Sequence, residues 1–419
     1  MADPLRAFRD LVAGSHQARP EDVPALAMRC AELLDAREMV IYLVDYEQRN
    51  LMPLTGDGTP HRTAIAVDGT LPGRSFAMTE THETNIGSGL RLWVPLLDGI
   101  ERLGVLEVIT TRKPSRDLLA DYRTAAGLLS EVLMTRRAYG DAVERIRRRL
   151  PMQLAAEIIW NLLPPLTFAT PDVLISAILE PAYDVGGDAF DYAVNGGVLH
   201  AAVFDAVGHG IDASAMTSLT ISAYRNARRC GLDLADTYRS IDKWVSAKYP
   251  HGFVTAALTE LDTDRGQFRR ISAGHPGELL FRDGKLVRTL TAPTAMPLGL
   301  GHLGTDIPTV EEETLQPGDQ LLLYTDGVTE ARTDTREFFG PERLIEFVTR
   351  SLADHVSAPE TLRRLVHAIL EHQHENLQDD ATAVLIEWQP ALATTRDMLP
   401  ETAAREVGRP PSSLGGGTT

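Results

Sequence analysis

Cysteine is almost missing from this chain of 419 residues, which carries only Cys30 and Cys230. The two lie far apart, each in a helix-like stretch, so no disulfide framework is expected and a reducing, cytoplasmic setting fits. Long hydrophobic runs are missing too. No stretch approaches the roughly 20 apolar residues that cross a bilayer. The first thirty residues carry charges throughout and lack the apolar segment of a signal peptide. Positive charge is scarce: 41 Lys and Arg face 58 Asp and Glu, a net charge of −17. That balance argues against a nucleic-acid backbone or an anionic membrane as main partner. A phosphorylated protein remains admissible, because bound metal ions can invert the local field. No Walker-type phosphate loop and no CX5R-type cysteine loop is present. What remains, 43% hydrophobic and 24% charged, is an ordinary globular composition. The length is large for one core, so two domains are expected.

Residues 4–37 have helical spacing, with Leu5, Phe8 and Leu11, then Ala25, Met28, Leu33 and Leu34. Strand-like runs follow: MVIYLVD (39–45), LRLWVPLL (90–97) and LGVLEVIT (103–110), the last two joined by the hairpin turn DGIERLG. A long helix is predicted over 115–137. Residues 1–140 thus read as a compact α+β domain. Residues 141–165 read as a connecting helix. Val143, Ile146 and Leu150 are spaced like a heptad seam, and Leu154, Ile158, Ile159 and Leu162 continue the stripe beyond Pro151. Pro151 breaks that helix or opens a second one. The stripe has two readings: a linker packing on its own domain, or a coiled coil that holds a homodimer and relays a signal.

Residues 166–389 read as a second domain. Its strand-like runs cover 173–180, 197–205, 253–261, 266–274, 278–290 (a hairpin around Arg282-Asp283-Gly284-Lys285), 320–326 and 381–388. Helical stretches cover 211–229, 234–248, 341–351 and 359–374. Antiparallel groups with inserted helices predict two sheets flanked by helices, an α-β-β-α sandwich. The fold class is α+β. The polar tail, 390–419, is expected to be disordered.

Four aspartates stand where apolar strands meet Gly-rich or acidic turns. They are Asp188 in VGGDAFD, Asp205 in HAAVFDAVGHG, Asp326 in QLLLYTDGVTE and Asp379 in LQDDATAVLIE. Carboxylates converging at a sheet rim repel one another unless a cation sits between them. Hard divalent cations take such oxygen ligands. Singly each is weak, since Asp-Gly at a strand end is usually a turn. GGD also opens the GGDEF cyclase signature, but Ala189 occupies the position where that motif needs an acid. The weight lies in the order: GGD, D-x-x-G-H-G before a helix, S-A-G-H-P, T-D-G-V-T-E after a strand, then D-D-x-T-x-V.

This ordered set, preceded by LLPP at 162–165, resembles the bacterial metal-dependent serine/threonine protein phosphatases of the SpoIIE type, relatives of the type 2C (PPM) enzymes. The resemblance covers about 150–387. It implies that Asp188 and Asp205 ligate or bridge two Mn²⁺ or Mg²⁺ ions, helped by the backbone carbonyl of Ala206. Asp326 and Asp379 would complete the other shell, with Asp380 the alternative to Asp379 and Asp191 able to join through water. Asp188, Asp205, Asp326 and Asp379 would be the catalytic set. Such ions polarise phosphoryl oxygens and acidify a shared water, so no covalent phosphoenzyme is required. Two departures stand out. Val207 occupies the place of a histidine in the eukaryotic relatives, and their phosphate-gripping arginine has no counterpart. His209 is either a proton donor or a structural residue, and His275 in SAGHPG either lines the site or bonds backbone.

The first domain resembles a GAF sensory domain in its order of elements, a common partner of such phosphatases. It would hold a small ligand over its sheet or act as a scaffold. The implied substrate is a phosphorylated anti-sigma-factor antagonist of the STAS type. Two other readings stay open: a catalytically inactive binding module, and a metal-dependent phosphohydrolase acting on nucleotides.

Overall fold

The computed structural model describes residues 2–390 except 57, 185, 292–294, 305–307, 334–336 and 375–378. The tail expected to be disordered lies, from residue 391, outside the described residues. The chain divides into two units: 2–44 with 49–147, and 45–48 with 148–390.

The first unit opens with α1 (Pro4–Ser15), capped by the Asp3 side chain on the Arg6 amide, and α2 (Val23–Leu33). Its sheet comprises β1 (Glu38–Val44), β2 (Asn50–Pro53), β3 (Ile65–Ala66), β4 (His82–Ile86), β5 (Gly89–Asp98) and β6 (Glu101–Thr110), in the antiparallel order β3-β2-β1-β6-β5-β4. Helix α3 (Leu71–Met78) precedes β4, and α4 (Arg116–Arg136) follows β6. Both faces of β1 are covered. Met39, Ile41 and Leu43 join Leu129 and Leu133 of α4, while Val40, Tyr42 and Val44 join Phe76 and Trp93. Two-sided burial is why this strand reads as a continuous apolar run rather than an alternating one. The β5–β6 hairpin turns at Gly99 and Ile100, with Gly99 at φ +60°. The short elements β2, β3, α3 and β4 carry too little periodicity to be foreseen.

The connecting segment, expected to break at Pro151, forms two short helices, α5 (Ala142–Arg147) and α6 (Leu154–Trp160). Pro151, which has no amide to donate, lies in the break. Val143 and Ile146 pack in the first unit's core, whereas Ala156 and Ile159 pack in the second's. Leu150 and Leu154 are 51% and 58% exposed. The apolar stripe is therefore not one seam; its buried residues are used within each unit.

The second unit holds two antiparallel sheets. One comprises β9 (Asp188–Asn195), β10 (Val198–Ala206), β11 (Val254–Asp262), β12 (Gln267–Ala273) and β15 (Glu311–Thr314), in the order β15-β12-β11-β10-β9. The other comprises β7 (Thr167–Ala169), β8 (Val173–Glu180), β13 (Glu278–Arg282), β14 (Lys285–Leu290), β16 (Gln320–Tyr324) and β17 (Ala381–Trp388), in the order β14-β13-β16-β17-β8-β7. Phe190, Val203 and Phe268 of the first sheet meet Ile175, Leu323 and Ile386 of the second in a shared core. On the outer face of the first sheet, α7 (Gly210–Arg229) and α8 (Leu234–Lys248) bury Ile221, Tyr224, Ile241 and Val245 against Phe204 and Leu258. Helix α11 (Ala358–His372) packs on β8 and β17 of the other sheet, next to α10 (Gly340–Ala353). The layering is α-β-β-α. The β13–β14 hairpin turns through Asp283 and Gly284, both at positive φ, as its Asp-Gly pair dictates.

Two local readings change. The stretch after GGD is itself a strand, β9, legible in the alternation of Phe190, Tyr192 and Val194. The strand read as ending on Asp326 stops at Tyr324, and Asp326 is the first residue of a short helix, α9 (Asp326–Glu330).

Candidate metal centre

Sheet register brings the first two aspartates together. β9 and β10 run antiparallel, and Asp188 sits directly across from Asp205. Asp326 follows β16 and Asp379 precedes β17, and these two strands are also paired. All five acidic side chains, Asp380 included, therefore gather at one end of the sandwich.

Asp188 is the deepest, 2% exposed. Its Oδ2 accepts a 2.7 Å hydrogen bond from the Thr325 hydroxyl, which in turn accepts one of 2.9 Å from the Thr382 amide. Burial, then the charges of Asp205 and Asp380, push its carboxyl well above the usual carboxylate range. Burial, then the charges of Asp326, Asp379 and Asp380, raise Asp205 to about 7. Asp326 and Asp379 stand at the exposed rim. The protein around Asp326 still removes enough water to raise its pKa, and the charges of Asp379 and Glu330 add to this. The carboxylates thus repel one another where burial has removed part of their water.

Asp380 does something else. Its Oδ2 accepts backbone amides from Gly186 and Gly187, both at 2.7 Å, and from Asp188 at 3.2 Å. One carboxylate oxygen thereby ties down the glycine loop that carries Asp188. The approach is close enough to require glycine. A Cβ on Gly187 would stand 2.4 Å from the Ala206 carbonyl oxygen, and one on Gly327 would stand 1.9 Å from the Asp380 carbonyl oxygen. Thr217 of α7 also donates to the Gly187 carbonyl.

Asp191 lies elsewhere. It is 2% exposed and is held by Arg225 at 2.7 Å and Arg228 at 3.0 Å, both on α7. A carboxylate paired in this way to two guanidiniums is structural, so the water-bridged role for Asp191 is withdrawn. His209 occupies the N-cap position of α7 with no side-chain cap bond and is exposed. His275 is buried, with Nδ1 3.2 Å from the Thr255 hydroxyl. His372 bonds the Glu337 carbonyl and packs edge-on against Phe339, while His374 is exposed. Thr325, Thr217 and the anchoring role of Asp380 were not foreseen. Only the TDG and DD contexts hinted at polar neighbours there.

The donors suit a divalent cation in kind. They are all oxygens, their charges disfavour one another, and a tight glycine cradle abuts the Ala206 carbonyl. Among the described residues no three acidic, histidine or cysteine side chains are drawn together tightly enough to form a closed ion cage.

Comparisons with known proteins found several matches. Residues 195–389 match the family model "Stage II sporulation protein E (SpoIIE)". Protein IcfG of Synechocystis sp. is 26% identical over 274 residues, covering 57% of this chain and 41% of that protein. The phosphoserine phosphatase RsbU of Bacillus subtilis is 25% identical over 239 residues, covering 56% of this chain and 69% of that protein. The SiaA-PP2C domain of Pseudomonas aeruginosa, a solved structure, is 22% identical, with a TM-score of 0.48 over 56% of this chain and 94% of that one. The chain thus spans less than half the length of IcfG. The match to the SpoIIE family model is confined to residues 195–389, within the second unit.

Proposed function

We propose that the protein is a metal-dependent protein serine/threonine phosphatase. One observation carries the reading: carboxylates from distant parts of the chain, Asp188, Asp205, Asp326 and Asp379, meet at one rim with mutually repelling charges that bound cations would relieve. The match of residues 195–389 to the SpoIIE family model and the chain's 25% identity over 239 residues to a phosphoserine phosphatase support it.

Two Mn²⁺ or Mg²⁺ ions are the assigned cofactors. Asp188, Asp205, the Ala206 carbonyl, Asp326 and Asp379 would hold them. We assign the fourth carboxylate to Asp379 rather than Asp380, because Asp380 is engaged with the loop amides. When bound, such ions neutralise phosphoryl charge and make a water nucleophilic at neutral pH. The chain's own contribution is placement. Thr325 fixes the Asp188 carboxylate, and Asp380 fixes the loop beneath it. Exposed Asp326 and Asp379 leave the rim open to a phosphorylated side chain on a folded protein.

The substrate reading is a phosphorylated STAS-type anti-sigma-factor antagonist in the cytoplasm. The first unit is read as a GAF-like sensor with a small-molecule ligand, and a homodimer as the regulated form. No helix among the described residues is long and apolar enough to cross a membrane.

The test is release of phosphate from phosphoserine and phosphothreonine proteins with Mn²⁺. Activity should stop with chelator and in Asp326→Asn. Hydrolysis of nucleotides with none of any phosphoprotein would overturn the reading, as would full activity in that variant.

A further inference from the structure

The S-A-G-H-P motif is not accounted for by the carboxylates alone. β12 ends at Ala273, and Gly274 adopts φ +69°. This turn sends the His275 side chain inward, where the residue is 5% exposed. The turn is closed by the Ser272 hydroxyl, which bonds the His275 carbonyl at 2.9 Å. The imidazole Nδ1 lies 3.2 Å from Thr255 Oγ1. Nε2 is buried and makes no hydrogen bond of acceptable geometry, though the Tyr324 backbone acts on the ring; Nδ1 carries the ring's one well-formed polar contact.

Thr255 sits on β11 directly across from Asp205 on β10, so the two side chains share one face of the sheet, and the Thr255 hydroxyl favours the ionised Asp205 carboxylate. A hydroxyl has one proton. Given to the carboxylate, the stronger acceptor, it leaves Oγ1 to accept from Nδ1–H. A polar path then runs from His275, through its 3.2 Å contact with Thr255, toward the cross-strand neighbour Asp205. An apolar residue would fill the same volume without stranding a ring nitrogen, so packing alone does not account for an imidazole here.

We propose that His275 is a positioning residue that, through Thr255, orients the Asp205 carboxylate for metal binding. The proposal rests on Asp205 being a metal ligand, as read above. Burial lowers the His275 pKa to about 4, against an opposing pull from the Tyr324 backbone. The ring is therefore neutral at pH 7 and adds no charge beside the cations. Groups that orient a metal ligand from behind typically change metal affinity by about 10- to 100-fold when removed.

The experiment is calorimetric titration of the metal-free full chain with Mn²⁺. Thr255→Val is nearly isosteric and removes only the hydroxyl, and His275→Leu removes the ring nitrogens. Each should weaken Mn²⁺ binding about 10- to 100-fold. Thr255→Ser and His275→Asn, which keep a polar atom at the key point, should stay near the parent. The double variant should be no weaker than either single one, because both act along one path. A purely structural histidine would lower the melting temperature in chelator while leaving Mn²⁺ affinity unchanged. If His275→Leu fails to fold, Thr255→Val decides, and parental Mn²⁺ affinity in it overturns the proposal. Asp205→Asn is run alongside. Parental affinity in that variant would sink the ligand reading itself, separately from the histidine series.

Discussion

Replacing Asp380 separates two roles that a cluster of acids confounds. Its Oδ2 holds three loop amides, two of them at 2.7 Å. Hydrogen bonds to a charged group contribute about 1.5–3 kcal/mol each, and leaving buried amides unpaired adds to the loss. The two short bonds alone set a loss of about 3 kcal/mol for Asp380→Ala in the metal-free protein. The longer bond and incomplete additivity shift this by about 1 kcal/mol either way. Asp380→Asn keeps a carbonyl oxygen for the amides and deletes a charge that sits against Asp188 and Asp205. Burial and the Asp379 charge raise the Asp380 pKa, so its ionised form is disfavoured where it stands. The asparagine variant should therefore match the parent within about 1 kcal/mol or exceed it. Urea unfolding in chelator reads both, as a midpoint shift at constant slope. An alanine variant as stable as the parent, or an asparagine variant as damaged as alanine, would refute the reasoning.

Three further outcomes follow from the same structure. Asp205, raised to about 7 from 3.8, keeps a proton in the metal-free native state that the unfolded chain releases. Its contribution is full below about pH 4 and is lost as pH rises through 7. Relative to Asp205→Asn, the metal-free parent should lose up to about 4 kcal/mol over that range, as measured by denaturation at each pH. Asp191→Ala strands Arg225 and Arg228 and should cost about 3–5 kcal/mol. Its Mn²⁺ affinity in calorimetry should stay parental, and a large loss would return Asp191 to the metal centre. Gly327→Ala places a methyl against the Asp380 carbonyl and should cost about 1–3 kcal/mol with a matching loss of phosphatase activity. Unchanged melting and turnover would show that the approach is looser than described.

Much of the second unit is legible in its sequence because alternation and turn chemistry act locally. The Asp283-Gly284 hairpin and the runs at 173–180 and 381–388 needed no tertiary information. The convergence of four aspartates was legible only as a joint pattern, since each alone is an ordinary turn residue. What escaped depends on partners remote in sequence. Asp380 meets Gly186 across 194 positions, and Asp191 finds Arg225 and Arg228 on a helix more than thirty residues on. Nothing in a single sequence distinguishes an acid that ligates from one that caps amides or pairs with arginine. Asp379 and Asp380 are adjacent, yet one faces the rim and the other turns beneath the loop. The connecting stripe misled for a similar reason: apolar spacing says that residues are buried, not against what.

The central claim is that carboxylates from separate strands jointly hold divalent cations. Mn²⁺ titration of the metal-free protein, compared with Asp205→Asn and Asp326→Asn, addresses it most directly. Saturable binding by the parent, weakened at least about 10-fold in both variants although they differ in position by more than a hundred residues, is the predicted result. Parental binding by either variant, or no binding by the parent, would contradict it.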